Sequence, residues 1–224
     1  MSWLGRAVRL IPVVILFVLA SSCNNFFLSN SAIESVTVSP TAILLEAGAA
    51  TPDTYQLAAT ALTVGGTTNT VTSTATWSSS STSVATVSTG GLVTAATGVA
   101  GNVTATIKAT DSGQSGTATV LTYSGAPPTS LAVNLPSNVT SSVAPGQTFT
   151  LIASPNGNSA TNWAAYVSWA SSDTSVATVN AVGEVSVLST ATIGTTFTIT
   201  ATANFGTASS TPTLTGTSTT FTIN

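Results

Sequence analysis

At 224 residues the chain can hold one large domain or two of about 100 residues each. Hydrophobic residues make up 43% and charged residues only 4%, against roughly 25% charged in an ordinary soluble protein. A formal net charge of −3, with basic residues only at Arg6, Arg9 and Lys108, leaves no patch to neutralise phosphates and excludes nucleic acid as a partner.

The chain opens with Arg6 and Arg9 ahead of one apolar run, "LIPVVILFVLA", residues 10–20. That run is too short to span a bilayer, which takes about 20 residues. A positive start, a short apolar stretch and small residues before a cleavage point predict an export signal. The following "LASSC", residues 19–23, resembles the bacterial lipobox, although Ala20 stands where leucine is more usual. The resemblance implies a cleaved lipoprotein signal peptide over residues 1–22, lipid on Cys23 and a tether over residues 23–33. Cys23 is the sole cysteine, so no internal disulfide can form. Asn24 is not the aspartate that signals inner-membrane retention in that class, which points to the outer membrane or cell surface.

From residue 35 the sequence alternates apolar residues with Thr or Ser in short runs: 35–40, 54–62, 74–80, 83–88, 91–96, 102–110 and 116–123. Each is bounded by Gly, Pro, Asn or Ser, and Thr and Val suit pleated strands. Residues 125–129 carry Pro127-Pro128, which cannot pair in a central strand, and predict a linker. The pattern restarts at 130–136 and continues through 147–155, 165–172, 175–180, 183–189, 195–203 and 218–224.

The second half rewrites the first. "WSSSSTSVATVSTGGLV" (77–93) returns as "WASSDTSVATVNAVGEV" (169–185) at a constant offset of 92 residues. The fold expected is all-β, two tandem antiparallel sandwiches over residues 34–124 and 130–224, each folding alone. Trp77 and Trp169 are expected to lie between the sheets, each burying about 150–250 Å². Val84, Val87 and Val93, with Val176, Val179 and Val185, should line those cores. Gly91 and Gly183 fall in turns that call for a positive φ. Together with "VTVSP" (36–40), "YQLAATA" (55–61), "NVTATIKA" (102–109) and "FTITATA" (197–203), these residues resemble the bacterial immunoglobulin-like domain of group 2. That is the module of intimin- and invasin-type surface proteins, and its missing cysteine pair fits the bacterial family.

Chemistry has little to work with. The chain has no histidine, and Lys108 is opposite in parity to Val103, Ala105 and Ile107, so it should face solvent rather than serve a Ser–Lys pair or an isopeptide bond. The six acids do not follow the repeat and read as solvated surface charge, with no cluster for calcium, so no cofactor or metal is expected. One asymmetry remains: Trp163 and Tyr166 stand where the first half has Val71 and Thr74. Trp163 shares the parity of Trp169 and should replace a core valine, whereas Tyr166 should project outward as a candidate ligand contact. The resemblance thus implies a non-enzymatic, lipid-anchored envelope protein serving adhesion, surface presentation or structural support. The alternatives are a carbohydrate-binding protein or an accessory subunit of an envelope assembly. Expected partners are the membrane through Cys23, and a glycan or an envelope or surface protein.

Overall fold

The computed structural model describes residues 29–156, 162–207, 209 and 213–224; the expected signal peptide and Cys23 lie outside them. The described residues form strands joined by loops, with one 3-10 turn at Ala164–Tyr166. The first group comprises β1 (Ile33–Ser39), β2 (Ala42–Glu46), β3 (Thr54–Gln56), β4 (Ala58–Thr63), β5 (Thr68–Thr70), β6 (Thr76–Ser79), β7 (Ala85–Val87), β8 (Leu92–Ala95), β9 (Thr104–Asp111) and β10 (Gln114–Tyr123). The second comprises β11 (Leu131–Asn134), β12 (Ser142–Val143), β13 (Thr148–Thr150), β14 (Ile152–Pro155), β15 (Ser168–Ser171), β16 (Ala177–Val179), β17 (Glu184–Val187), β18 (Thr196–Phe197), β19 (Ile199–Asn204), β20 (Thr213–Thr217) and β21 (Phe221–Ile223).

Pairing makes the same object twice. In the first sandwich one layer runs β1-β4-β5 and continues as β3-β8-β7; the other runs β2-β10-β9-β6. In the second, β11-β14 and β13-β17-β16 form one layer, and β12-β21-β18 with β15-β19-β20 the other. Strands pair antiparallel except β2 on β10 and β12 on β21, which run parallel. This is the immunoglobulin arrangement of facing antiparallel sheets with an added parallel strand at one edge. Period-2 alternation drives it. In β9 every second residue, Ala105, Ile107 and Ala109, is buried while Thr104, Thr106 and Lys108 are exposed. Val84, Val93, Val176 and Val185 are buried; Val87 and Val179 are partly so.

The tryptophans do not occupy the sandwich centres. Trp77 and Trp169 are half-buried, because they stand on β6 and β15, which are edge strands of their sheets. Each ring folds over the edge and closes on the opposite sheet. The Trp77 Nε1 donates to the Thr72 carbonyl at 2.8 Å, and the Trp169 Nε1 to the Ala164 carbonyl at 2.7 Å. Gly91 and Gly183 have φ of 80° and 79°. They also lie beneath the rings: a Cβ there would come within 2.9 Å of Trp77 and 2.8 Å of Trp169. Tryptophan and glycine recur together because they are one contact.

A second glycine pair serves the sheets themselves. A Cβ on Gly116 would sit 2.6 Å from the Val36 carbonyl, and one on Gly216 would strike the Leu131 carbonyl. Only glycine lets β10 and β20 pass that close to β1 and β11.

Candidate functional site at the junction of the sandwiches

β2 breaks the alternation. Its Ala42, Ile43, Leu44 and Leu45 are all buried, the signature of a strand covered on both faces. Ile43 and Leu45 enter the first core, whereas Leu44 belongs to the core of the second sandwich. β10 behaves alike: Val120 points into the first core, and Leu121 and Tyr123 join the second. The second core is therefore not self-contained. Its open end is closed by the outer face of β2 and β10.

The second sandwich meets that face with aromatic residues. Phe205 is 2% exposed and packs edge-on against Tyr123, ring centroids 5.6 Å apart, with the Trp163 ring centroid 6.4 Å away. Backbone bonds cross the same boundary. Phe205 bridges Leu44 in parallel, the Gly206 N–H donates to the Leu44 carbonyl at 2.9 Å, and the Thr207 N–H donates to the Thr54 carbonyl at 2.9 Å. At the rim the Asn204 amide donates to the Ala42 carbonyl at 3.1 Å.

Asp53 corrects the reading of the acids as surface charge, for it is only 1% exposed. A buried carboxylate must accept hydrogen bonds, and this one accepts from the Glu46 N–H at 2.7 Å, the Thr54 N–H at 2.9 Å and the Thr207 hydroxyl at 3.2 Å. Burial, then the neighbouring Asp53 and Glu46 carboxylates, push the Tyr123 hydroxyl up to about 12. The remaining acids are at least partly open to solvent.

Tyr166 also moves from its expected place. The strand begins only at Ser168, so Tyr166 lies in the 3-10 turn Ala164–Tyr166, where strand parity has no meaning. It is half-buried against the second core, and its turn rests on β2 and β10. Trp163 is buried, as Val71 is in the first sandwich. The aromatic asymmetry between the halves thus belongs to the junction. Beside it opens a shallow cleft of about 270 Å³ lined by Asn102, Asn156, Tyr123 and Trp163 among others. Both rings are buried and present no face for stacking a sugar.

Lys108 is exposed, and among the described residues no three His, Cys, Asp or Glu side chains come together. The signal for the junction was present in "AILL" and in "VLTY", runs that do not alternate. Sequence reasoning by alternation passed over β2.

No family model matches the chain, and no curated protein matches it. Solved structures are similar at low identity. Domains 5-6 of the S-layer protein SbsC share 19% identity over 85% of this chain and 97% of that one, with a TM-score of 0.34. Repeats EC1-2 of human protocadherin-24 share 11% identity over 86% of this chain and 98% of that one, with a TM-score of 0.32. At such scores neither the fold nor the role of this chain is read from theirs; the fold rests on the strand pairing described above.

Proposed function

We propose that the chain is a non-enzymatic, lipid-anchored envelope protein whose sandwiches, residues 34–124 and 130–224 joined by 125–129, act as a stiff mount at the cell surface. The observation that supports this most is the shared second core: Leu44, Leu121 and Tyr123 are built into it, so the two sandwiches are held rather than strung on a free linker. A mount of this kind suits presentation or structural support, and the group 2 immunoglobulin-like resemblance fits such a role. Tyr166 is half-buried against the second core, and a glycan contact there is the alternative, which Tyr166→Ala tests by loss of glycan binding without loss of fold. The anchor is Cys23, so Cys23→Ala is expected to shift the protein from the membrane to the soluble fraction and to abolish labelling by a fatty-acid probe. Unchanged labelling and fractionation would overturn the anchor.

A further inference from the structure

Apolar contact alone does not fix an angle, since it is non-directional and rewards any arrangement that buries the same area. The orientation of the second sandwich must come from directional bonds, and among the described residues the charged group that takes part in those crossing the boundary is Asp53. The repeat supplies an internal comparison. At the corresponding position of the second sandwich stands Gln147, whose Oε1 accepts the Ala144 N–H at 2.9 Å just as the Asp53 carboxylate accepts the Glu46 N–H. The backbone repeats as well: the Ala95 N–H donates to the Asp53 carbonyl at 2.8 Å, and the Val187 N–H to the Gln147 carbonyl at 2.9 Å. A neutral amide therefore suffices for the bond within a sandwich. What the first sandwich adds is a compact carboxylate that also takes the Thr207 hydroxyl, beside the Thr54 N–H and hydroxyl that lie 3.3 and 3.1 Å from the same hydroxyl oxygen. Gly206 permits this approach, because a Cβ there would overlap the Asp53 carboxylate.

We propose that Asp53 is a positioning residue that sets the angle between the sandwiches, through the Thr207 hydroxyl and the close approach at Gly206. It specifies orientation, while the apolar contact of Leu44, Tyr123 and Phe205 supplies the attachment. Specifying a register is the best-attested use of a buried polar group in an apolar interface.

The test is a spin-label distance distribution measured on the full chain carrying Cys23→Ser, with labels at the exposed positions Lys108→Cys and Val182→Cys. Native Asp53 is expected to give one narrow distribution. Asp53→Asn and, separately, Thr207→Val are each expected to broaden it about twofold while both sandwiches still melt cooperatively. Thr207 is exposed, so its variant is expected to spare both cores; because its hydroxyl also lies 3.1 Å from the Thr54 hydroxyl, Thr54→Val is the control and is expected to leave the distribution narrow. A Thr207→Val distribution as narrow as the native one would overturn the proposal.

Discussion

Phe205→Ala is expected to lower stability by about 3–5 kcal/mol, the cost of truncating a large ring in a site that cannot collapse. The residue is 2% exposed, meets both Tyr123 and Trp163, and stands at the only isolated β-bridge that joins the sandwiches among the described residues. The loss should appear in calorimetry as a lowered transition of the second sandwich. Pairing it with Tyr123→Leu should show a coupling of about 0.5–1.5 kcal/mol, because the edge-to-face contact is lost once in either single variant. A loss under about 1 kcal/mol would mean that the ring is exposed and the junction open.

Gly183→Ala is expected to cost about 2–4 kcal/mol, from placing a side chain at φ 79° and from driving a methyl to 2.8 Å from the Trp169 ring. Gly146 separates the two causes. It has φ 80° but nothing within 4 Å of an added Cβ, so Gly146→Ala should cost only about 1 kcal/mol. Urea titration of both variants checks the difference. Equal losses would show that glycine is needed for backbone conformation alone and that the ring contact contributes nothing.

The fold was legible because its determinants are local and repeated. Thr–Val alternation marks each strand, and the constant offset of 92 residues from Trp77 to Trp169 marks the second copy. What a fixed offset hides is any pair separated by loops of unequal length. Gly116 and Gly216 are 100 residues apart, because the connection from β19 to β20 is longer than the tight turn from β9 to β10. Asp53 and Gln147 are 94 apart for the same kind of reason. The strand set was also incomplete, since β2, β5, β12 and β20 lie outside the runs that alternate clearly.

Tyr166 escapes alternation for a different cause. Parity assigns a side only to residues on a strand, and Tyr166 lies in a turn closed by its own N–H on the Trp163 carbonyl and joined by the Trp169 indole at Ala164. The latter is a local side-chain-to-backbone bond five residues apart, which alternation does not register. The tryptophans were placed too deep because nothing in the sequence says which strand is an edge. Asp53 looked like any other acid, because its burial comes from Gly206 and Thr207, more than 150 positions away.

Residues 130–224 expressed alone put the shared core to the most direct trial. From sequence this fragment was expected to fold by itself, having its own tryptophan and strands. The structure leaves Phe205, Trp163 and the end of that core uncovered once Leu44, Leu121 and Tyr123 are gone. The fragment is therefore expected to melt well below the second transition of the full chain, or without cooperativity, and to bind a hydrophobic dye. A fragment that melts cooperatively at the full-chain temperature, without dye binding, would contradict a core completed by the first sandwich.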